Sequence, residues 1–110
     1  MPYINVSTSA KIEDKKKLLE EISILVSSLT NKSKKFVMAK LEDNLEMYFD
    51  DESPCCFLEI KSIGSLNPSE MAKQISNFVN EKMGIPMDRI YIAFEDVSAS
   101  MWAWNGRTFV

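Results

Sequence analysis

The chain is written twice. Sliding its 110 residues along themselves by 54 positions sets Tyr3 on Phe57, Val6 on Ile60, Ile24 on Phe78, Leu25 on Val79, Met38 on Ile92 and Ala39 on Ala93. Each half reads as strand, helix, strand. In the first, Tyr3–Thr8 is a strand, and a helix runs from about Ile12 to Leu29. Leu18, Leu19, Ile22, Leu25, Val26 and Leu29 recur along it at the spacing of one buried face. Asn31 ends the helix, and Phe36–Leu41 is the second strand. In the second half, Phe57–Ile60 opens a strand that continues towards Ile63 and Gly64. Asn67 then caps a helix with Pro68 at its first position and Glu70 reaching back. Met71, Ile75, Phe78, Val79 and Met83 form its buried face. Gly84 permits a left-handed cap, and Pro86 stops the helix. Asp88–Phe94 reads as a strand whose run from Ile90 to Phe94 is continuously apolar, the pattern of a centrally buried parallel strand.

Two βαβ units of one hand place both helices on one face of a mixed four-stranded sheet, an α/β (α+β) fold. A single domain over residues 1–110, with pseudo-repeats of about 2–50 and 55–110, accounts for the whole length. No further helix remains to cover the second face. The tail from Ser98 to Val110 holds Trp102, Trp104 and Phe109 in short strand-like pieces. An open apolar face of this kind implies a homo-oligomer.

Composition narrows the chemistry. The sequence has no histidine, which excludes Ser-His-Asp and Cys-His catalysis and removes the commonest transition-metal ligand. Cys55 and Cys56 are adjacent, without the spacing of a zinc or redox motif, and read as two buried strand thiols. Acid–base chemistry therefore falls to amines, carboxylates or tyrosines. A net charge of −3 argues against a nucleic-acid partner. No apolar run approaches the roughly 18 residues of a membrane span. With no signal-peptide pattern at the start, the expected location is cytoplasmic, with unconventional secretion left open.

Several short motifs sit on this frame: Met1-Pro2 running straight into the first strand, Thr30-Asn31-Lys32 after the first helix, and Ser62-Ile63-Gly64. Pro86-Met87-Asp88-Arg89-Ile90-Tyr91-Ile92 and Trp104-Asn105 with Thr108-Phe109 follow. In this order the sequence resembles the tautomerase superfamily, specifically its macrophage migration inhibitory factor branch.

The resemblance implies a homotrimer whose three sheets form a central barrel, with an active site at each subunit boundary. It implies a cofactor-independent, metal-free keto–enol tautomerase acting on phenylpyruvate-type α-keto acids or their enols. Pro2, freed by removal of Met1, matches the family's catalytic base. Lys32 matches its pocket lysine, and Ile63 a backbone contact to substrate. Tyr91 matches a tyrosine supplied by the neighbouring subunit, while Phe36, Trp104 and Phe109 match the aromatic lining. Three positions depart from the family pattern. Ala93 replaces a substrate-contacting asparagine, Leu58 replaces the second cysteine of a C-x-x-C, and Phe36 replaces a tyrosine.

The chemistry suits these residue types. An α-amine has an ordinary pKa of about 7.7–8, and an apolar pocket with a nearby lysine lowers it towards neutrality. Lys34 and Lys35 read as a solvated basic edge near a helix end. Other readings share the fold: a small-ligand regulatory module, a non-enzymatic cytokine-like interaction protein, or a superfamily hydratase, dehalogenase or decarboxylase. The last class usually brings extra arginines near the proline, and this chain has only Arg89 and Arg107.

Overall fold

Strand β1 (Tyr3–Thr8) leads through α1 (Lys15–Thr30) to β2 (Met38–Glu42), which returns parallel to it. Strand β3 (Cys56–Ser62), α2 (Pro68–Met83) and β4 (Ile90–Asp96) repeat the unit. The two units join where β1 and β3 pair antiparallel, so the sheet order is β2-β1-β3-β4. A two-residue hairpin, β5 (Ala103–Trp104) and β6 (Arg107–Thr108), ends the chain. The computed structural model describes all of residues 1–110.

Alternation along the strands sends Ile4, Val6, Leu58 and Ile60 to one face. There they meet Ile22 and Val26 of α1, and Met71, Ile75 and Val79 of α2. Burying each such side chain is worth about 1.5–3 kcal/mol relative to exposure, which makes this layer the main source of stability. Two buried threonine hydroxyls are bonded to backbone: Thr8 Oγ1 donates to the Cys55 carbonyl across the β1–β3 junction and Thr30 Oγ1 to that of Val26 one helical turn back, each at 2.7 Å.

The internal repeat has two offsets. The buried residues Ile4, Val6 and Thr8 match Leu58, Ile60 and Ser62 at a shift of 54. The helices, from 15 to 30 and from 68 to 83, are shifted by 53 at both ends. So are their left-handed caps, Asn31 and Gly84, and the short 3-10 turns 34–36 and 87–89. The second half therefore has one residue fewer between its first strand and its helix. A uniform shift of 54 would turn each helix by about 100° and place Met38 on Ile92, reversing the face of the second strand. At 53, Leu18, Ile22 and Val26 fall on Met71, Ile75 and Val79, all buried, and exposed Met38 falls on exposed Tyr91.

Other expectations from the sequence need correction. Helix α1 starts at Lys15 rather than near Ile12, because the Asp14 side chain accepts the Lys17 amide as its cap. Phe36 lies in the 3-10 turn before β2, not in the strand. The Asn67 side chain makes no capping bond; its backbone amide instead approaches Met71 Sδ at 3.4 Å. Ile85, fully buried after α2, joins the core unforeseen. Within one chain β4 is an edge strand, half covered, and not central. The face opposite the helices is mixed rather than apolar. It carries Tyr3, Phe57, Met38 and Tyr91 beside Asn5, Glu59, Lys61 and Lys40, with Asn5 Nδ2 donating to Glu59 at 3.4 Å.

One carboxylate ties the β2–β3 loop to the start of the first helix. Asp43 accepts the Ile12 amide at 2.9 Å and pairs with Lys15 at 3.3 Å. The Ile12 amide bond, ahead of Lys15, holds its carboxyl below the ordinary 3.8. A group depressed in the folded state stabilises above its unfolded pKa and loses that contribution as pH falls through its folded value. Thermal melts should therefore show Tm dropping below about pH 4, where unfolded Asp begins to bind protons. Asp43→Asn is expected to be less stable at pH 7 and to show a shallower drop on acidification.

Candidate active site

Four pieces of chain meet at one end of the sheet: the start of β1, the end of α1, the end of β3 and the C-terminal tail. Pro2 is fully buried at this end, and its carbonyl accepts the Met38 amide at 3.1 Å, which fixes the first residues into the sheet. The residue before it, Met1, lines a cavity of about 390 Å³ together with Asn31, Lys32, Ser33, Phe36, Ile63 and Phe109.

Each wall has a local cause. Asn31 adopts the left-handed conformation that ends α1, turning the chain so that Lys32 leaves the helix over the cavity. Ser27, a residue the sequence reading did not single out, then holds Lys32 twice. Its carbonyl accepts the Lys32 amide at 3.2 Å, and its Oγ donates to the Lys32 carbonyl at 2.6 Å. Ile63 follows the last residue of β3, where the Val97 amide donates to the Ser62 carbonyl at 2.8 Å and the Gly64 amide to Asp96 at 2.9 Å. Asn105 and Gly106, at φ 54° and 80°, make the tight hairpin turn that asparagine–glycine pairs favour. The hairpin folds Phe109 back, its amide donating to the carbonyls of Trp102 and Ala99 at 3.1 and 3.2 Å. That turn was a readable signal.

Trp104 lies one step away. It meets Phe36 edge-on at 5.9 Å and lines an adjoining apolar cavity of about 370 Å³ with Met1, Tyr3 and Met38. Lys34 and Lys35 are exposed, and Lys35 sits 5.1 Å over the Phe36 ring.

Tyr91 is elsewhere. It pairs with Phe57 at the start of β3, whereas Pro2 adjoins the end of that strand. Five residues of strand separate the two, about 17 Å at 3.3–3.4 Å per residue. No single chain brings this tyrosine to Pro2.

The electrostatics favour a neutral amine in the cavity. Burial first, and the Lys32 charge second, lower the pKa of the terminal amine carried by Met1 below its ordinary 8.0. The thiols lie around the start of β3, at the other end of the sheet from Met1. Both are free and buried, and burial, with Cys55 adding to it, pushes Cys56 up to about 12. No three His, Cys, Asp or Glu side chains gather where they could hold a metal ion. No helix is long and apolar enough to cross a membrane.

A duplicated βαβ chain that gathers its amino terminus, a lysine and an aromatic tail around one cavity has the architecture of the tautomerase superfamily. The sequence profile described as macrophage migration inhibitory factor (MIF) matches residues 1–110, and the chain belongs to that family. It is 29% identical over 114 residues to a MIF homologue of Trichinella spiralis, covering 99% of this chain and 100% of that one. With a homologue from Brugia malayi the identity is 30% over 114 residues, covering 99% of both. The crystal structure of a MIF homologue from Prochlorococcus marinus superposes with a TM-score of 0.93 at 39% identity, covering 98% of this chain and 99% of that chain.

Proposed function

We propose that this protein is a keto–enol tautomerase of phenylpyruvate-type α-keto acids, with the amine of Pro2 as general base once Met1 is removed. One observation carries the reading: the chain's terminal amine sits in a largely apolar cavity beside Lys32, with its proton affinity lowered by both. In the direction from keto to enol, the neutral Pro2 amine takes a proton from the carbon beside the carbonyl. The electron pair of that C–H bond becomes the carbon–carbon double bond as the carbonyl π pair shifts onto oxygen, where negative charge develops. Lys32 stabilises that charge or holds the adjacent carboxylate, and the proton held on Pro2 passes to the oxygen, directly or through water, completing the enol and restoring the neutral amine. Ile63 offers backbone contacts, while Phe36, Phe109 and Trp104 shelter the aromatic end of the substrate. Ala93 supplies no side-chain hydrogen bond, which places more of the binding on Lys32.

The reading includes a homotrimer in which Tyr91 completes a neighbouring cavity. Its support is physical. Strands β2 and β4 are both open edges, and Tyr91 and Met38 on them are 61% and 68% exposed. The radius of gyration is 14.2 Å, against about 13 Å for a self-contained chain of this length.

The test is a spectrophotometric assay of phenylpyruvate enol ketonisation, run on protein whose mass shows Met1 removed, alongside light scattering. Turnover from a particle of three 12.6 kDa chains is expected. An inactive trimer would leave a cytokine-like or ligand-binding role, and a monomer would remove the shared site.

A further inference from the structure

At the far end of the sheet, the exposed Tyr91 ring is braced by contacts beyond its own strand. The half-buried Phe49 ring touches both the Tyr91 ring of β4, at 4.8 Å, and the guanidinium of Arg89 just before that strand, at 5.3 Å. Arg89 in turn is fastened to the loop that carries Phe49. Its Nε donates to the Pro54 carbonyl at 3.0 Å, its Nη2 donates to that of Ser53 at 2.9 Å, and it pairs with Asp51 at 3.2 Å. The loop closes on itself as well. Asp50 takes a left-handed φ of 67°, the Phe49 amide donates to the Asp51 carbonyl at 3.0 Å, and Asp51 Oδ1 accepts the Ser53 amide at 2.8 Å.

We propose that Phe49 and Arg89 are positioning residues for Tyr91, holding its ring in the direction in which it is presented to a neighbouring subunit's cavity. This rests on the reading that Tyr91 completes that cavity. A solvent-facing tyrosine on an edge strand loses side-chain freedom when it binds. A ring already stacked has lost that freedom beforehand, so the substrate is bound by a preorganised group. Arg89 adds the coupling: one side chain fixes the loop backbone and lies against the Phe49 ring.

Aromatic pairs contribute about 0.5–1.5 kcal/mol beyond the area they bury. Phe49→Ala is therefore expected to raise KM for phenylpyruvate enol about three- to tenfold, with kcat and the ascending pH limb unmoved. Phe49→Tyr, which keeps the ring, should restore KM. Phe49→Leu preserves volume and folding, and should raise KM in the same direction. In a Tyr91→Ala background, Phe49→Ala should add almost nothing, because the two act as one unit. Light scattering checks that each variant keeps the parent assembly. If Tyr91→Ala raises KM while Phe49→Ala and Phe49→Leu leave it unchanged, the positioning role falls and the place of Tyr91 stands. An equal effect of Phe49→Ala with and without Tyr91 overturns the positioning role too. A silent Tyr91→Ala overturns both.

Discussion

A single residue added ahead of Pro2, or Met1 left in place, should lower turnover by about 10²–10⁴-fold, the usual contribution of a positioned acid–base group. The cause is electronic. An acylated proline nitrogen is an amide, whose lone pair is delocalised into the carbonyl and accepts no proton near neutral pH. Met1 itself lines the cavity, and the Pro2 carbonyl that follows it is bonded to the Met38 amide, so a residue retained ahead of Pro2 also takes up room there. Pro2→Ala keeps an α-amine and should lose less than the extended chain. Circular dichroism and light scattering should be unchanged in all of these variants. Intact mass must accompany each rate, because a mixed preparation reports only its processed fraction. An extended chain that turns over at the parent rate would remove the amine from the mechanism.

The second large effect is on pH. A base works in its unprotonated form, so kcat/KM should rise with pH through the pKa of the Pro2 amine. Burial is the larger influence on the amine carried by Met1, and Lys32 the smaller; both act downward. The ascending limb is expected below the ordinary α-amine range of about 7.7–8. Lys32→Ala should move it upward without returning it to that range, because desolvation remains. The same variant should weaken binding, since a hydrogen bond to a charged group contributes about 1.5–3 kcal/mol. Cys55→Ser and Cys56→Ser should leave the limb where it is, given a Cys56 thiol pushed up to about 12. A limb that does not respond to Lys32→Ala would separate the lysine from the amine.

Most of the fold was legible because it is periodic. The spacing of Leu18, Ile22 and Val26, repeated at Met71, Ile75 and Val79, marks two helix faces whatever packs on them. Left-handed ends were legible at Asn31 and Gly84, where the chemistry of the cap names the residue. The lost residue between β3 and α2 was not, since helices with adjacent apolar residues such as Leu18-Leu19 and Leu25-Val26 match their repeat about equally well one position out of register. Nor was the status of β4. A fully apolar strand is equally suited to the centre of a sheet and to an edge that another chain covers, and pattern alone does not separate the two. Around the candidate site, Lys32, Phe36, Ile63 and Phe109 line one cavity with Met1, Pro2 is buried next to Met1 in the chain, and Trp104 touches Phe36. Ser27, Phe49 and Arg89 were beyond reach, because each acts through a contact between segments distant in sequence or through a backbone turn with no local signature.

The shift of 54 between the first strands sets Met1-Pro2 on Cys55-Cys56, and Cys56 is buried at its end of the sheet as Pro2 is at the other. A lysine or an aromatic group can stand in either repeat of one chain. A terminal α-amine cannot. The nitrogen of Cys56 is a peptide amide, so the two repeats are chemically unequal before any side chain is compared. Where one end of the sheet has the terminus, the other has the brace of Phe49, Arg89 and Tyr91.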